Sequence, residues 1–256
     1  MKNFNISMLF DAWVMFKRCL MISLRNPETL LTATIIPFCL MLLFGTVFGN
    51  ITDVGNYNYV DFIVPGIILQ SIGQASQNSA MNVTADMTKG IIDRFRCMSI
   101  SKSAVLIGHT GAGVIRSMIS TAVIIITALI LGFRPQAGLI DWLLTIALLL
   151  LINITVTLIA VLCGMVSKSI EAANGLTVPL FILPFLSSGF APVDTMPSAI
   201  SWFAEVQPMT PIIDSLRALT LGLPVGNSLW LALAWCFMLS IVCFTASVRA
   251  YNRKSS

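Results

Sequence analysis

Asp93, Arg94, Phe95 and Arg96 stand side by side in the stretch GIIDRFRCMSISKSAVLIG, residues 90–108, between two long apolar runs. Charges of both signs beside a large aromatic do not suit burial in lipid. They suit docking: the charges can pair across an interface while one ring anchors in a pocket. Basic residues also collect on the cytoplasmic side of a membrane, but that rule asks for neither Asp93 nor Phe95. Recognition of another protein is therefore the expected chemistry of this stretch, with topology alone as the plainer alternative.

Groups that would turn over a substrate are scarce. His109 is the single histidine, and no carboxylate stands at helical spacing from it, so an ordinary interfacial histidine is expected. No HExxH, Gly-x-Ser-x-Gly or paired intramembrane carboxylates occur. No GxxxxGK[ST] phosphate loop occurs either, so the chain is not itself an ATPase. No catalytic residue and no metal ligand is assigned. The six cysteines (Cys19, Cys39, Cys97, Cys163, Cys236 and Cys243) show no close-pair spacing, and five lie in apolar segments where they act as small hydrophobes. Asp61 and Arg116 do not form a mid-membrane relay of the kind an ion-coupled carrier uses.

Two further groups of residues can bind. Gln70, Gln74, Asn78 and Asn82 recur every four residues and share one helix face, with Gln77 beside them. Polar side chains in lipid are costly and face a cavity or another helix; a translocation surface and interhelical glue are both open readings. Phe181, Phe185 and Phe190, near Pro179 and Pro184, offer an apolar counterpart or simply core packing. The segment 191–225 is too apolar for a solvated loop and too proline-rich for one span, with Pro197, Pro208 and Pro211 punctuating it. Two short helices dipping into the outer leaflet are expected, over Ser198–Val206 and Pro211–Leu221. Thr210-Pro211 reads as an N-cap followed by proline, Gly222 as the stop, and Asp214 and Arg217, three apart, as a pair.

The elements that position these groups follow from composition. The chain has 256 residues, 57% of them hydrophobic and 10% charged, and a mean hydropathy of +0.90. Soluble domains carry about 25% charge. A helical crossing needs about 20 apolar residues, and backbone groups in lipid must be bonded internally; the runs lack the alternation of a membrane barrel. An all-α membrane protein is expected, with six spans: Thr29–Phe48, Val60–Val83, Ala104–Leu131, Leu139–Val166, Ala173–Phe190 and Ser228–Ser247. The third and fourth exceed one crossing. Within Met8–Arg25, Leu9, Trp13, Phe16, Leu20 and Leu24 recur at helical spacing while Asp11, Arg18 and Arg25 fall elsewhere. An amphipathic helix in the interface is expected there, ended by Asn26-Pro27. The domain reading is thus an interfacial helix over 1–27 and a six-span domain over 28–256. The first long apolar run starts near Thr29, too late for a cleavable signal peptide.

Orientation follows from Lys and Arg. With the N-terminus inside, only Arg134 and Arg217 of the 15 basic residues fall outside, so both termini are expected in the cytoplasm. Trp142 and Trp230 then mark the outer interface. The net charge of +4 is placed for topology and not for nucleic acid.

Four stretches together resemble the type-2 ATP-binding-cassette permeases, close to the daunorubicin-resistance efflux branch. They are RNPETLLTATIIPFCLMLLFGTVFG (25–49), NYVDFIVPGIILQS (58–71), GIIDRFRCMSISKSAVLIG (90–108) and SSGFAPVDTMPSAISWFAEVQPMTPIIDSLRALTLGLPVG (187–226). Two positions depart from the family's usual pattern: Ser99, where proline is usual, and His109, where arginine is frequent. The resemblance implies a bacterial plasma-membrane permease that works as two permease chains with two cytoplasmic ATPase subunits. ATP and magnesium would be bound by the ATPase, and this chain would bind no cofactor. A coupling helix is implied over 89–101, where Asp93, Arg94 and Arg96 would pair with the ATPase and Phe95 would anchor. A re-entrant outer pair is implied over 191–225, carrying Pro208, Asp214 and Arg217. The expected function is export of a small amphipathic substrate (drug, peptide or lipid-like), along a path near Gln70, Gln74, Gln77, Asn78, Phe181 and Phe185. Competing readings are an ion-coupled carrier acting alone and, further off, a membrane enzyme acting on lipids.

Overall fold

The computed structural model describes residues 2–25, 27–48, 58–91 and 102–253, and every regular element among them is helical. In chain order these are α1 (Lys2–Leu24), α2 (Pro27–Leu43), α3 (Tyr59–Thr88), α4 (Lys102–Ile130), α5 (Leu139–Val166), α6 (Ile170–Ile182), α7 (Ser198–Val206), α8 (Met209–Leu221) and α9 (Ser228–Arg253). A π-helical turn, Phe44–Phe48, extends α2, and short 3₁₀ turns occupy Leu183–Leu186 and Val193–Thr195. Among the described residues, three helices are long and apolar enough to cross a membrane by length and composition, within α4, α5 and α9. At 1.5 Å per residue, α4 (29 residues) and α5 (28 residues) are each over 40 Å long.

The hub is α3, which packs against α2, α4, α5, α6 and α8. It is long enough to cross a membrane but carries more polar and small residues than the other long helices, and it is buried along most of its length. The two facts have one cause. A helix enclosed by other helices needs close backbone approach more than lipid-like side chains, so small residues collect on it. A Cβ at Gly66 would lie 2.6 Å from the Gly189 carbonyl oxygen, so the chain after α6 can press on α3 only because both positions are glycine. The main core joins Ile63, Ile67 and Ile72 of α3 to Ile124, Ile152, Ile213 and Leu216 of its neighbours. A smaller core joins Met15 of α1 to Val83, Leu106, Met165 and Tyr251 at the other end of α3.

Three local features depart from the sequence expectation. The fifth apolar run is helical only to Ile182, then tightens into the 3₁₀ turn and leaves the helix at Ser187, whose backbone is extended. Pro184 lacks the N–H that would continue the ladder, and the Ser187 hydroxyl donates to the Pro184 carbonyl at 2.6 Å. Thr210 is not an N-cap: α8 already begins at Met209, and the Thr210 hydroxyl donates back to the Ala204 carbonyl at 2.6 Å. Proline is tolerated in the first turn, so Pro211 does not have to start the helix. In α1 the face packed on the bundle carries Ala12, Met15, Cys19 and Ser23, while Phe10 and Trp13 are exposed. α4 can approach that face closely because it carries glycine there: a Cβ at Gly108 would lie 2.8 Å from the Met15 Cβ.

Candidate functional site

The expected docking residues Asp93, Arg94, Phe95 and Arg96, with most of the segment 89–101, lie outside the described residues. What is described is the ground from which that segment springs, the ends of α3 and α4. There Asp86 of α3 accepts from Nη1 and Nη2 of Arg18, at 2.7 and 3.0 Å. The Asp86 hydrogen bond holds the Arg18 pKa above its ordinary value. His109 of α4 is buried and its Nε2 lies 3.3 Å from the Asp86 Oδ2, at ion-pair distance but without hydrogen-bond alignment. One carboxylate thus ties together α1, α3 and α4.

Two helical turns beyond His109 on α4, Arg116 is buried between α1 and α3. Its Nη1 donates to the Ser23 hydroxyl and its Nη2 to the Ser79 hydroxyl, each at 2.6 Å, and its Nε donates to the Ala75 carbonyl at 3.3 Å. Sequence reasoning placed His109 and Arg116 but missed Arg18 and Asp86 as their companions. The available signal was the seven-residue spacing of His109 and Arg116, which puts both on one face of α4; their partners come from other helices.

The opposite end of α3 carries a second charged knot. Asp61 accepts from the Arg134 backbone N–H at 3.0 Å. The expected pair on α8 is present, with Arg217 Nη1 donating to Asp214 Oδ1 at 2.8 Å. Arg217 does more than pair. It donates through Nε and Nη2 to the Phe62 carbonyl at 3.2 and 3.1 Å and through Nη2 to the Ser188 carbonyl at 2.6 Å. Its guanidinium also lies 3.9 Å from the Phe62 ring centroid. The Ser188 hydroxyl adds a bond to Asp214 Oδ1 at 2.7 Å. These bonds satisfy the carbonyl exposed where α6 breaks and pin α8 to α3. Gly222 closes α8 with φ +66°, a conformation that suits glycine. Pro208 immediately precedes that helix. The 24 residues from Phe62 to Asp86 span about 36 Å, so the two knots are separated by about the hydrocarbon thickness.

Between the knots lies the polar stripe of α3. Gln70, Gln77 and Asn78 are buried inside the chain and Gln74 is half-buried. Among the described residues neither amide atom of Gln70 finds a hydrogen-bond partner. The aromatic residues form a run at the break after α6: Phe181 and Phe185 meet edge-on at 5.8 Å between centroids, and Phe185 stacks on Phe190 at 4.5 Å. Phe44 of the π-helical turn completes it, 5.2 Å from Phe190. The Tyr59 hydroxyl donates to the Phe190 carbonyl at 3.2 Å. Among the described residues no group of histidine, cysteine and acidic side chains is arranged to hold a metal ion.

Residues 11–221 match the family described as ABC-2 type transporter. Over 98% of this chain and 92% of the relative, the sequence is 26% identical to the "Probable doxorubicin resistance ABC transporter permease protein DrrC" of Mycobacterium tuberculosis. It is 25% identical, over 93% of this chain and 85% of the relative, to the "Daunorubicin resistance ABC transporter permease protein DrrB1" of Streptomyces coeruleorubidus. With the "Inner membrane transport permease YadH" of Escherichia coli K12 it shares 24% identity over 89% of this chain and 90% of the relative.

Proposed function

The chain belongs to the ABC-2 type transporter family, and from that premise we propose that it moves a small amphipathic molecule out of a bacterial cell through a path shared by two permease chains. As a family member it is the permease subunit of an ATP-driven exporter, and ATP is hydrolysed by a separate subunit. The drug-resistance names of two relatives support a drug-like or lipid-like cargo. The observation that carries the coupling part of the reading is the Arg18–Asp86–His109 contact. It locks α1 to the two helices that the segment 89–101 connects, so force applied to that segment would reach three helices together.

In this reading the segment 89–101 is the coupling helix on the cytoplasmic side. Asp93, Arg94 and Arg96 pair with the ATPase, which binds ATP and magnesium, and Phe95 seats in its pocket. Both termini are cytoplasmic, and the segment 191–225, held by Arg217 and Asp214, dips into the outer leaflet. Cargo passes near the α3 stripe (Gln70, Gln74, Gln77, Asn78) and the aromatic run that includes Phe181 and Phe185. ATP can drive transport only if the motor's states contact the permease differently, and the coupling segment provides that contact.

The test uses the permease reconstituted with its ATPase. Arg94→Ala combined with Phe95→Ala is expected to abolish ATP-dependent export while ATP hydrolysis continues and the permease stays folded. Unchanged export in that variant would overturn the assignment of the coupling segment.

A further inference from the structure

A cavity of about 300 Å³ opens between α1, α3 and α4 at the Asp86 end of the bundle, with Arg18, Asp86, Lys89, His109 and Arg116 on its wall. Among the described residues the charges on that wall do not balance. Asp86 is the one carboxylate among the described residues of the wall, and both of its oxygens are engaged by Arg18. Arg116 is 2% exposed, and all three of its hydrogen-bond acceptors are neutral oxygens of Ala75, Ser23 and Ser79. His109 is 5% exposed, and its Nε2 shares the same Asp86 carboxylate, 3.3 Å from Oδ2 and without hydrogen-bond alignment. A buried cation without a counter-charge is strongly disfavoured unless something supplies one. Ionisable groups buried in a membrane protein mark ligand or ion sites by default.

We propose that this cavity is a binding site for an oxyanion, the phosphate of a phospholipid headgroup or a free phosphate. The guanidinium fork of Arg116 recognises tetrahedral and planar oxyanions with paired donors. Lys89 on the same wall brings a further positive charge and donor. The volume accepts a headgroup and lies at the lower limit for a drug-sized ligand. The cavity sits at the end of α3 assigned to the cytoplasmic side, where basic pockets between helices meet anionic lipid. The inference requires neither the cargo nor the ATPase assigned above.

The experiment uses the full chain in nanodiscs of phosphatidylcholine containing increasing fractions of phosphatidylglycerol, with retained lipid counted by native mass spectrometry. A second arm adds inorganic phosphate to pure phosphatidylcholine discs and reads thermal protection. Saturable retention of phosphatidylglycerol that weakens about tenfold in Arg116→Gln supports a headgroup site. Protection by phosphate without lipid retention supports the site with a free anion as its ligand. Neither response in the wild type, or wild-type binding in Arg116→Gln, overturns the proposal. If Arg116→Gln does not fold, Lys89→Gln decides, with an expected loss of about fivefold. The exposed Lys17 does not line the cavity, and Lys17→Gln is expected to bind as the wild type does. Equal losses in Lys17→Gln and Lys89→Gln would mean general surface attraction and would also overturn the site.

Discussion

Arg18 grips Asp86 across 68 residues of sequence, its two Nη nitrogens 2.7 and 3.0 Å from the two carboxylate oxygens. The contact makes the first helix part of the bundle and not merely an element lying beside it. Through His109 the same carboxylate also reaches α4.

That relationship predicts a measurable coupling. A double-mutant cycle of Arg18→Ala and Asp86→Ala, read by thermal unfolding in mild detergent, is expected to give a coupling energy of about 1–3 kcal/mol, the range of charge-assisted hydrogen bonds. Asp86→Ala should be the more damaging single change, because it strands His109 as well as Arg18. A cycle that closes at zero would show that the pair does not hold α1 in place.

Arg217 is expected to matter more than its acidic partner. Arg217→Ala removes the donors to the Phe62 and Ser188 carbonyls as well as the ion pair, and is expected to cost about 3–5 kcal/mol, as breaking a buried charge network does. Asp214 is half-exposed, so Asp214→Ala should cost about 1 kcal/mol or less. Arg217→Lys should fall between them, since an ammonium keeps the charge but lacks the fork. The three thermal midpoints rank the variants, and an Asp214→Ala effect equal to that of Arg217→Ala would contradict this account.

Gln70 gives a third expectation. Its side chain is buried with both amide atoms unpartnered among the described residues, and an unsatisfied buried polar group costs about 1–3 kcal/mol. Gln70→Leu, similar in volume, is therefore expected to leave the isolated chain as stable or more stable. If the stripe contributes to a cargo path, the same variant will change the export rate or the choice of cargo. Lower stability in Gln70→Leu would show that the amide is structural glue with a partner in the working molecule.

Helix positions were largely legible in the sequence because helical period and apolar length are local properties. The fourth run, Leu139–Val166, and the short helix Ser198–Val206 coincide with the observed elements, and the Asp214–Arg217 pair follows from residues one turn apart. Helix ends were less legible. The break of the fifth run at Ser187 depends on proline and a local serine bond, and the start of α8 at Met209 depends on a contact from Thr210 to α7.

The sequence by itself determined that this chain is an apolar, helical membrane protein and that its motifs belong to a permease family. Those properties rest on residue type, on spacing within one helix and on the order of motifs along the chain. Only the tertiary structure decided which helix is enclosed and which charges meet. Asp86 finds Arg18 and His109, and Arg116 finds Ser23 and Ser79, across 23 to 93 positions that no helical period connects. Burial then sets the electrostatics. The same arginine that would be an unremarkable topology signal at a solvated interface becomes, when enclosed among neutral oxygens beside a cavity, a cation in need of an anion.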